Sequence, residues 1–182
     1  MALAKPKLSI VEYLDWEEQQ PERYELYRGE IFAMVGVRRV HGLVTTNLVA
    51  SLKQQLKGSP CCIFIEALKL QVADDTILYP DLFVTCDPAD LKTDYIFHSP
   101  TLVVEVLSNS TQAYDRGVKF AMYRRLQSLR EYLLIDPDTR LIEIYRKGVD
   151  GRFTLFDYTA EESFPLPSIG CELRREEIFE GV

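Results

Sequence analysis

Thr101-Leu102-Val103-Val104-Glu105-Val106-Leu107-Ser108 reads as a short, fully buried β-strand. His98-Ser99-Pro100 bounds it on one side and Ser108-Asn109-Ser110 on the other. Glu105 interrupts an otherwise apolar run. A carboxylate there must be paired, bound to a metal or protonated, because burying it ionised and alone costs several kcal/mol. A second acid, Asp81, sits in a similar setting, Ile77-Leu78-Tyr79-Pro80-Asp81-Leu82-Phe83-Val84. Two acids on two apolar strands, brought together by a folded sheet, are what a hard divalent cation needs.

The rest of the chain supplies a frame for that pair. Ser9-Ile10-Val11-Glu12 is a capping-box pattern opening a helix over residues 10–19, closed by Pro21. Residues 24–27 and 30–35 flank Arg28-Gly29 as a hairpin. In residues 41–57, Val44, Leu48, Leu52 and Leu56 recur at helical spacing, and Gly58-Ser59-Pro60 ends the helix. Strands follow over 61–72, 77–86 and 101–107. Ser110 or Thr111 then caps a helix running to about residue 127. Strands over 130–135 and 141–146 flank Asp136-Pro137-Asp138-Thr139, and another spans 152–158. The tail from 164 to 182 carries two prolines and a short charged segment. This order predicts an α/β or α+β domain, a mixed sheet covered by helices, with the whole of 1–182 as a single domain.

Bulk properties narrow the classes of function. An apolar fraction of 47% and a charged fraction of 27% are ordinary for a soluble globular protein. No apolar run approaches the roughly 18–20 residues needed to span a bilayer. Lys5 and Lys7 have no apolar stretch behind them, so no secretion signal is read and a cytoplasmic, non-membrane protein is expected. Cys61, Cys62, Cys86 and Cys171 lack the short paired spacing of zinc sites. They are expected to be reduced, buried thiols. The net charge of −7 argues against a broad nucleic-acid-binding surface but leaves room for a local basic strip beside a metal.

Several side chains carry both a chemical and a bland reading. Asp81 follows Pro80, which favours sheet edges, so backbone donors alone could satisfy it. Glu105 shares a strand face with Val103 and Leu107; a buried pair with Arg or Lys would seldom offset its desolvation, which favours a functional role. Asp115, Lys119, Tyr123 and Leu126 form one helical stripe. An exposed Asp115–Lys119 pair would contribute only a few tenths of a kcal/mol. That helix directly follows the Glu105 strand, however, and can fold Lys119 back over its C-terminal end. His41 lies on the apolar stripe of its helix, where a histidine is most often a core residue. Glu25 and Glu30 sit in the first hairpin, and either reads equally as a solvated strand residue. Arg38, Arg39, Arg116, Arg124 and Arg125 could meet phosphates, though such charges usually face solvent.

With Pro80-Asp81 followed by Glu105-Val106-Leu107-Ser108, the chain resembles the PD-(D/E)XK nuclease superfamily, the restriction-endonuclease-like fold. The position two after the acid, usually Lys, is Leu107 here. In this it is similar to a branch, abundant in cyanobacteria, of uncharacterised proteins assigned as endonucleases, in which the lysine has moved to the next helix. Tyr24-Glu25-Leu26, Gly29-Glu30, His41, Tyr79-Pro80-Asp81-Leu82, Asp115 with Lys119 and Tyr123, and Glu131-Tyr132-Leu133 to Asp136-Pro137 match that branch in order along nearly the whole chain. The resemblance implies a mixed β-sheet flanked by helices and a Mg²⁺- or Mn²⁺-dependent endonuclease acting on DNA. Asp81, Glu105 and the Val106 carbonyl would hold the metal. Lys119 would be catalytic, with supporting roles for Glu25, or Glu30 in its place, and for His41; Asp115 would position Lys119. A homodimer is compatible with it. Two other readings stand beside this one: an inactive nucleic-acid-binding or assembly module retaining the fold, and a core of structural ion pairs with no ligand.

Overall fold

The structure, a computed structural model, describes residues 7–34, 36–65 and 67–182. The readings that involve Lys5, Val35 and Glu66 lie outside it. Helix α1 (Ile10–Glu17) begins with the expected capping box: Ser9 accepts from the Glu12 N–H while the Glu12 carboxylate accepts from the Ser9 N–H. Strands β1 (Tyr24–Tyr27) and β2 (Glu30–Ala33) form the hairpin, with Arg28 and Gly29 both at positive φ in the two-residue turn. Helix α2 (Arg39–Gln55) buries His41, Val44, Leu48 and Leu52 along one stripe.

The expected strands 61–72 and 77–86 each divide in two. The first becomes β3 (Cys62–Ile65) and β4 (Lys69–Ala73), with Ala67 at φ 63° between them. The second becomes β5 (Thr76–Leu78) and β6 (Leu82–Thr85), interrupted at Tyr79-Pro80-Asp81. These breaks pass the chain between two sheets. β7 (Ile96–Phe97), β8 (Pro100–Val106), β9 (Glu131–Asp136), β10 (Leu141–Lys147) and β11 (Phe153–Asp157) complete them. One sheet has the order β2-β1-β5-β4-β7 and the other β11-β10-β9-β8-β6-β3. Both are mixed: β4 runs parallel to β7 and β8 parallel to β9, while the other pairs are antiparallel.

The helix after β8 departs from expectation. It starts without a side-chain cap at Thr111 and is built from α3 (Gln112–Tyr114), a π-turn (Asp115–Lys119) and α4 (Phe120–Tyr123), so it stops short of residue 127. The tail is also more ordered than its prolines suggested. β12 (Ser163–Leu166) pairs with β13 (Cys171–Arg174), and α5 (Arg175–Ile178) follows.

Alternation along the six-stranded sheet makes two cores. Leu82, Val84, Leu102, Val104, Val106, Leu133 and Ile135 face α2, the β12–β13 hairpin and α5. Phe83, Val103, Leu107, Tyr132 and Leu134 face Leu70, Val72 and Leu78 of the smaller sheet, together with Met122 and Tyr123. Glu105, odd-numbered like Val103 and Leu107, therefore points into the second core.

The cysteine expectation is corrected. Cys61 and Cys86 form a disulfide, and Cys62 is exposed; only Cys171 is a buried free thiol. The cause is register: β3 pairs antiparallel with β6 with Cys62 opposite Thr85, which sets Cys61 against Cys86 at a Cα separation of 4.0 Å. No helix among the described residues is long and apolar enough to cross a membrane.

Candidate active site

Asp81 occupies the break between β5 and β6, at the junction of the two sheets. Pro80 has no N–H to donate and fits a place where the ladder stops. β6 and β8 pair with Leu82 opposite Val104, so the residue before β6 lies beside the end of β8. The Val106 N–H donates to Asp81 Oδ2 at 2.7 Å, and the Asp81 N–H approaches Glu105 Oε2 at 3.4 Å. The two acids singled out in the sequence are thus tied to one another's strands.

Lys119 reaches Glu105 from the π-turn. Its ammonium lies 3.1 Å from Glu105 Oε1, 3.2 Å from Glu25 Oε1 and 3.7 Å from Asp115 Oδ1. The bland reading of an exposed Asp115–Lys119 pair fails, because Lys119 is 8% exposed and Asp115 3%. Glu25 comes from β1 and also accepts the Tyr79 N–H at 3.0 Å, so the chain just before Asp81 is held to the first hairpin. Glu30 is exposed at the start of β2, which leaves Glu25 as the early acid at this place. His41, in the first turn of α2, sets Nε2 3.1 Å from Asp81 Oδ2. Glu25, His41, Asp81, Glu105, Val106, Asp115 and Lys119 therefore meet in one place.

The electrostatics are lopsided. Four carboxylates surround one ammonium. Burial, reinforced by Asp81, Asp115 and Glu25, pushes the Glu105 pKa well above its ordinary value, and Lys119 offsets only part of this. Asp115 is raised for the same leading reason. Burial alone would lower Lys119, but Glu105, Glu25, Asp115 and Asp81 together raise it well above its usual range, so it is held as a cation. Asp81, with an 18% exposed side chain, is the acid most open to solvent.

Asp81 and Glu105 are the oxygen donors suited to a hard cation. Among the described residues no group of three or more His, Cys, Asp or Glu side chains is arranged to hold a metal ion. Two carboxylates are nonetheless an adequate protein contribution for Mg²⁺, which keeps several of its waters.

Tyrosines are the part that sequence reading underrated. Tyr123 is a stripe neighbour of Lys119 and part of the matched pattern, with no contact assigned from sequence; its hydroxyl donates to Glu105 Oε1 at 3.0 Å. Tyr132 donates to the Asp115 carbonyl. Tyr79 bonds Glu25 through its backbone and Glu17 through its hydroxyl. Four of the five candidate phosphate-binding arginines have partners elsewhere. Arg38 pairs with Asp138, Arg39 reaches the Gly181 carbonyl, Arg116 pairs with Glu143 and Arg124 lies over the Phe120 ring.

Comparison with known proteins agrees with this frame. A family model, Uma2, described as "Putative restriction endonuclease", matches residues 10–175. Two proteins of Synechocystis sp. (strain ATCC 27184 / PCC 6803 / Kazusa) are similar. "Uncharacterized protein slr1290" is 40% identical, covering 97% of this chain and 94% of its own length. "Uncharacterized protein sll1609" is 32% identical over 90% of this chain and 94% of its own. A crystal structure titled as a putative nuclease belonging to DUF820, from Anabaena variabilis ATCC 29413, superposes with a TM-score of 0.74 at 20% identity. It covers 95% of this chain and 98% of that one, a likeness of fold.

Proposed function

The chain belongs to the Uma2 family, and on that premise we propose that it is a Mg²⁺- or Mn²⁺-dependent endonuclease hydrolysing DNA phosphodiester bonds. The observation that carries the reading is the convergence of Asp81, Glu105 and Lys119, with a buried excess of negative charge and its most open acid, Asp81, toward solvent. Such an excess is costly in a protein interior and is relieved by a cation. Asp81 and Glu105, with the Val106 carbonyl, would hold the metal. When bound, the metal supplies Lewis-acid polarisation of a phosphoryl oxygen and a lowered pKa for its water.

The chain's own groups do the remainder. Lys119 is a fixed cation beside Glu105, placed to oppose the negative charge that grows on a phosphoryl group under attack. Asp115 and Glu25 hold that ammonium from two further sides, which sets its direction. His41 and the Val106 N–H fix the Asp81 carboxylate from opposite elements, α2 and β8, so that its rotamer does not wander.

The test is incubation of supercoiled plasmid with the protein in Mg²⁺ or Mn²⁺. Nicked and linear products are expected from the wild type and none from Asp81→Ala or in the presence of chelator. Cleavage that survives both controls would overturn the assignment. DNA retained without cleavage would place the chain with the inactive binding modules.

A further inference from the structure

Tyr114 has no part in the reading above, and its placement is unusual. Its hydroxyl oxygen is fully buried and has no hydrogen-bond partner among the described residues. Buried hydroxyls are nearly always bonded, and an orphan of this kind at a charged site calls for an explanation. The ring lies under Lys119, whose Nζ is 5.8 Å from its centroid, a cation–π distance. The hydroxyl lies against Glu25. After burial, that carboxylate is the largest cause raising the Tyr114 pKa, although the geometry falls short of a hydrogen bond.

The π-turn explains how both side chains reach one site. Five residues of regular α-helix turn the chain through about 500°, leaving residues i and i+5 about 140° apart, so Tyr114 and Lys119 would face different ways. Here the Phe120 N–H reaches back to the Asp115 carbonyl, an i→i+5 bond that widens the turn between them. Such bulges inside helices cluster at functional sites.

We propose that Tyr114 is a positioning residue for Lys119: its hydroxyl is the reserve donor that takes over Glu25 when the ammonium turns from Glu25 toward a phosphoryl oxygen. An ammonium has three N–H donors, and Lys119 faces Glu105, Glu25 and Asp115 with them. Contact with a phosphate requires one to be released. Glu105 keeps the Tyr123 hydroxyl as a second donor. Among the described residues, Glu25 keeps only the Tyr79 N–H as a bonded donor, on the same oxygen that Lys119 uses. A short swing of the Tyr114 hydroxyl supplies the missing bond, while the ring face still guides the ammonium. The catalytic half of this proposal rests on the nuclease reading; the hand-over itself is a property of the charge cluster and is tested without substrate.

The experiment is a melting cycle on the full chain. Tyr114→Phe alone, which keeps the ring and removes an unsatisfied hydroxyl, is expected to leave Tm unchanged or slightly raised. In the Lys119→Met background the hydroxyl serves Glu25, and Tyr114→Phe is expected to lower Tm by roughly 3–10 °C relative to Lys119→Met alone. Lys119→Gln is the second background should Lys119→Met not fold. The same effect in both backgrounds, or a loss in the wild type, would overturn the hand-over. In plasmid cleavage, Tyr114→Phe is expected to lower kcat about tenfold with KM within about twofold, the pattern of an interaction made only in the transition state. A wild-type kcat would overturn the role in turnover. A wild type that cuts no DNA would sink the nuclease reading, and the melts would still decide on Tyr114.

Discussion

Replacing Lys119 by Met tests the charge cluster and the chemistry together. Methionine keeps most of the apolar stem and deletes the cation. At 3.1 Å the attraction to Glu105 alone is about 5 kcal/mol gross with an effective dielectric near 20, and the Glu25 contact at 3.2 Å is similar. Desolvation of the ammonium offsets much of this. The net cost of removing one partner from a buried pair is about 3–5 kcal/mol. For a chain of this size each kcal/mol shifts Tm by roughly 2–4 °C, so a fall of about 6–20 °C is expected in the metal-free protein. The sequence alone, reading an exposed pair with Asp115, predicted almost no change. The deficit should shrink as pH falls, because the stranded carboxylates can then protonate. Cleavage is expected to drop about a hundredfold or more, as for loss of one preorganised donor at a developing charge. Differential scanning calorimetry over a pH series and a plasmid assay measure the two halves. A Tm within about 2 °C of wild type at neutral pH would refute the claim that Lys119 neutralises a buried acidic cluster.

Glu105→Gln is expected to act in the opposite sense on the metal-free fold. The folded pKa of Glu105 lies above its ordinary 4.5, so the folded state holds a proton that the unfolded chain has lost, and stability falls as pH rises from 4.5 to the folded pKa. The neutral amide removes that slope, and each unit of raised pKa removed is worth about 1.4 kcal/mol. Melts of the variant should therefore run above wild type near neutral pH and converge with it toward pH 4.5, with cleavage lost; a large destabilisation at neutral pH would show Glu105 to be a structural ion-pair partner instead. Cys61→Ser opens a crosslink between residues 25 apart, which in the chain-entropy model stabilises by about 3–4 kcal/mol. Its Tm should fall by several degrees and reducing agent should bring wild type down to it; an unchanged melt in both would mean that the crosslink restrains nothing.

What the sequence disclosed follows from which interactions are local. The strands at 131–136 and 141–147 were legible because apolar runs flank Asp136-Pro137-Asp138-Thr139, and the α2 stripe because Val44, Leu48 and Leu52 repeat at helical period. The passage between sheets at Tyr79-Pro80-Asp81 was hidden in a continuous apolar run, with Pro80 as its one overt sign. The β12–β13 hairpin was masked by Pro165 within its first strand. The π-turn left no periodic trace, since a single widened turn shifts the phase of too few residues. The site acids stood out because Glu105 and Asp81 break apolar strands. Lys119 was nameable, but an i,i+4 partner reads alike on a surface and in a core, so its burial was not. Tyr114 and the Cys61–Cys86 pairing depend on a helix bulge and a strand register that only the folded chain defines.

The central claim is that Asp81 and Glu105 form a divalent-cation site. Titration of Mn²⁺ into the metal-free protein, followed by isothermal calorimetry, tests it directly. Saturable binding is predicted for wild type, lost in Asp81→Ala at metal concentrations that saturate wild type, with the variant still folded by its melt. Equal binding by wild type and Asp81→Ala, or no binding by wild type at millimolar Mn²⁺, would contradict the account.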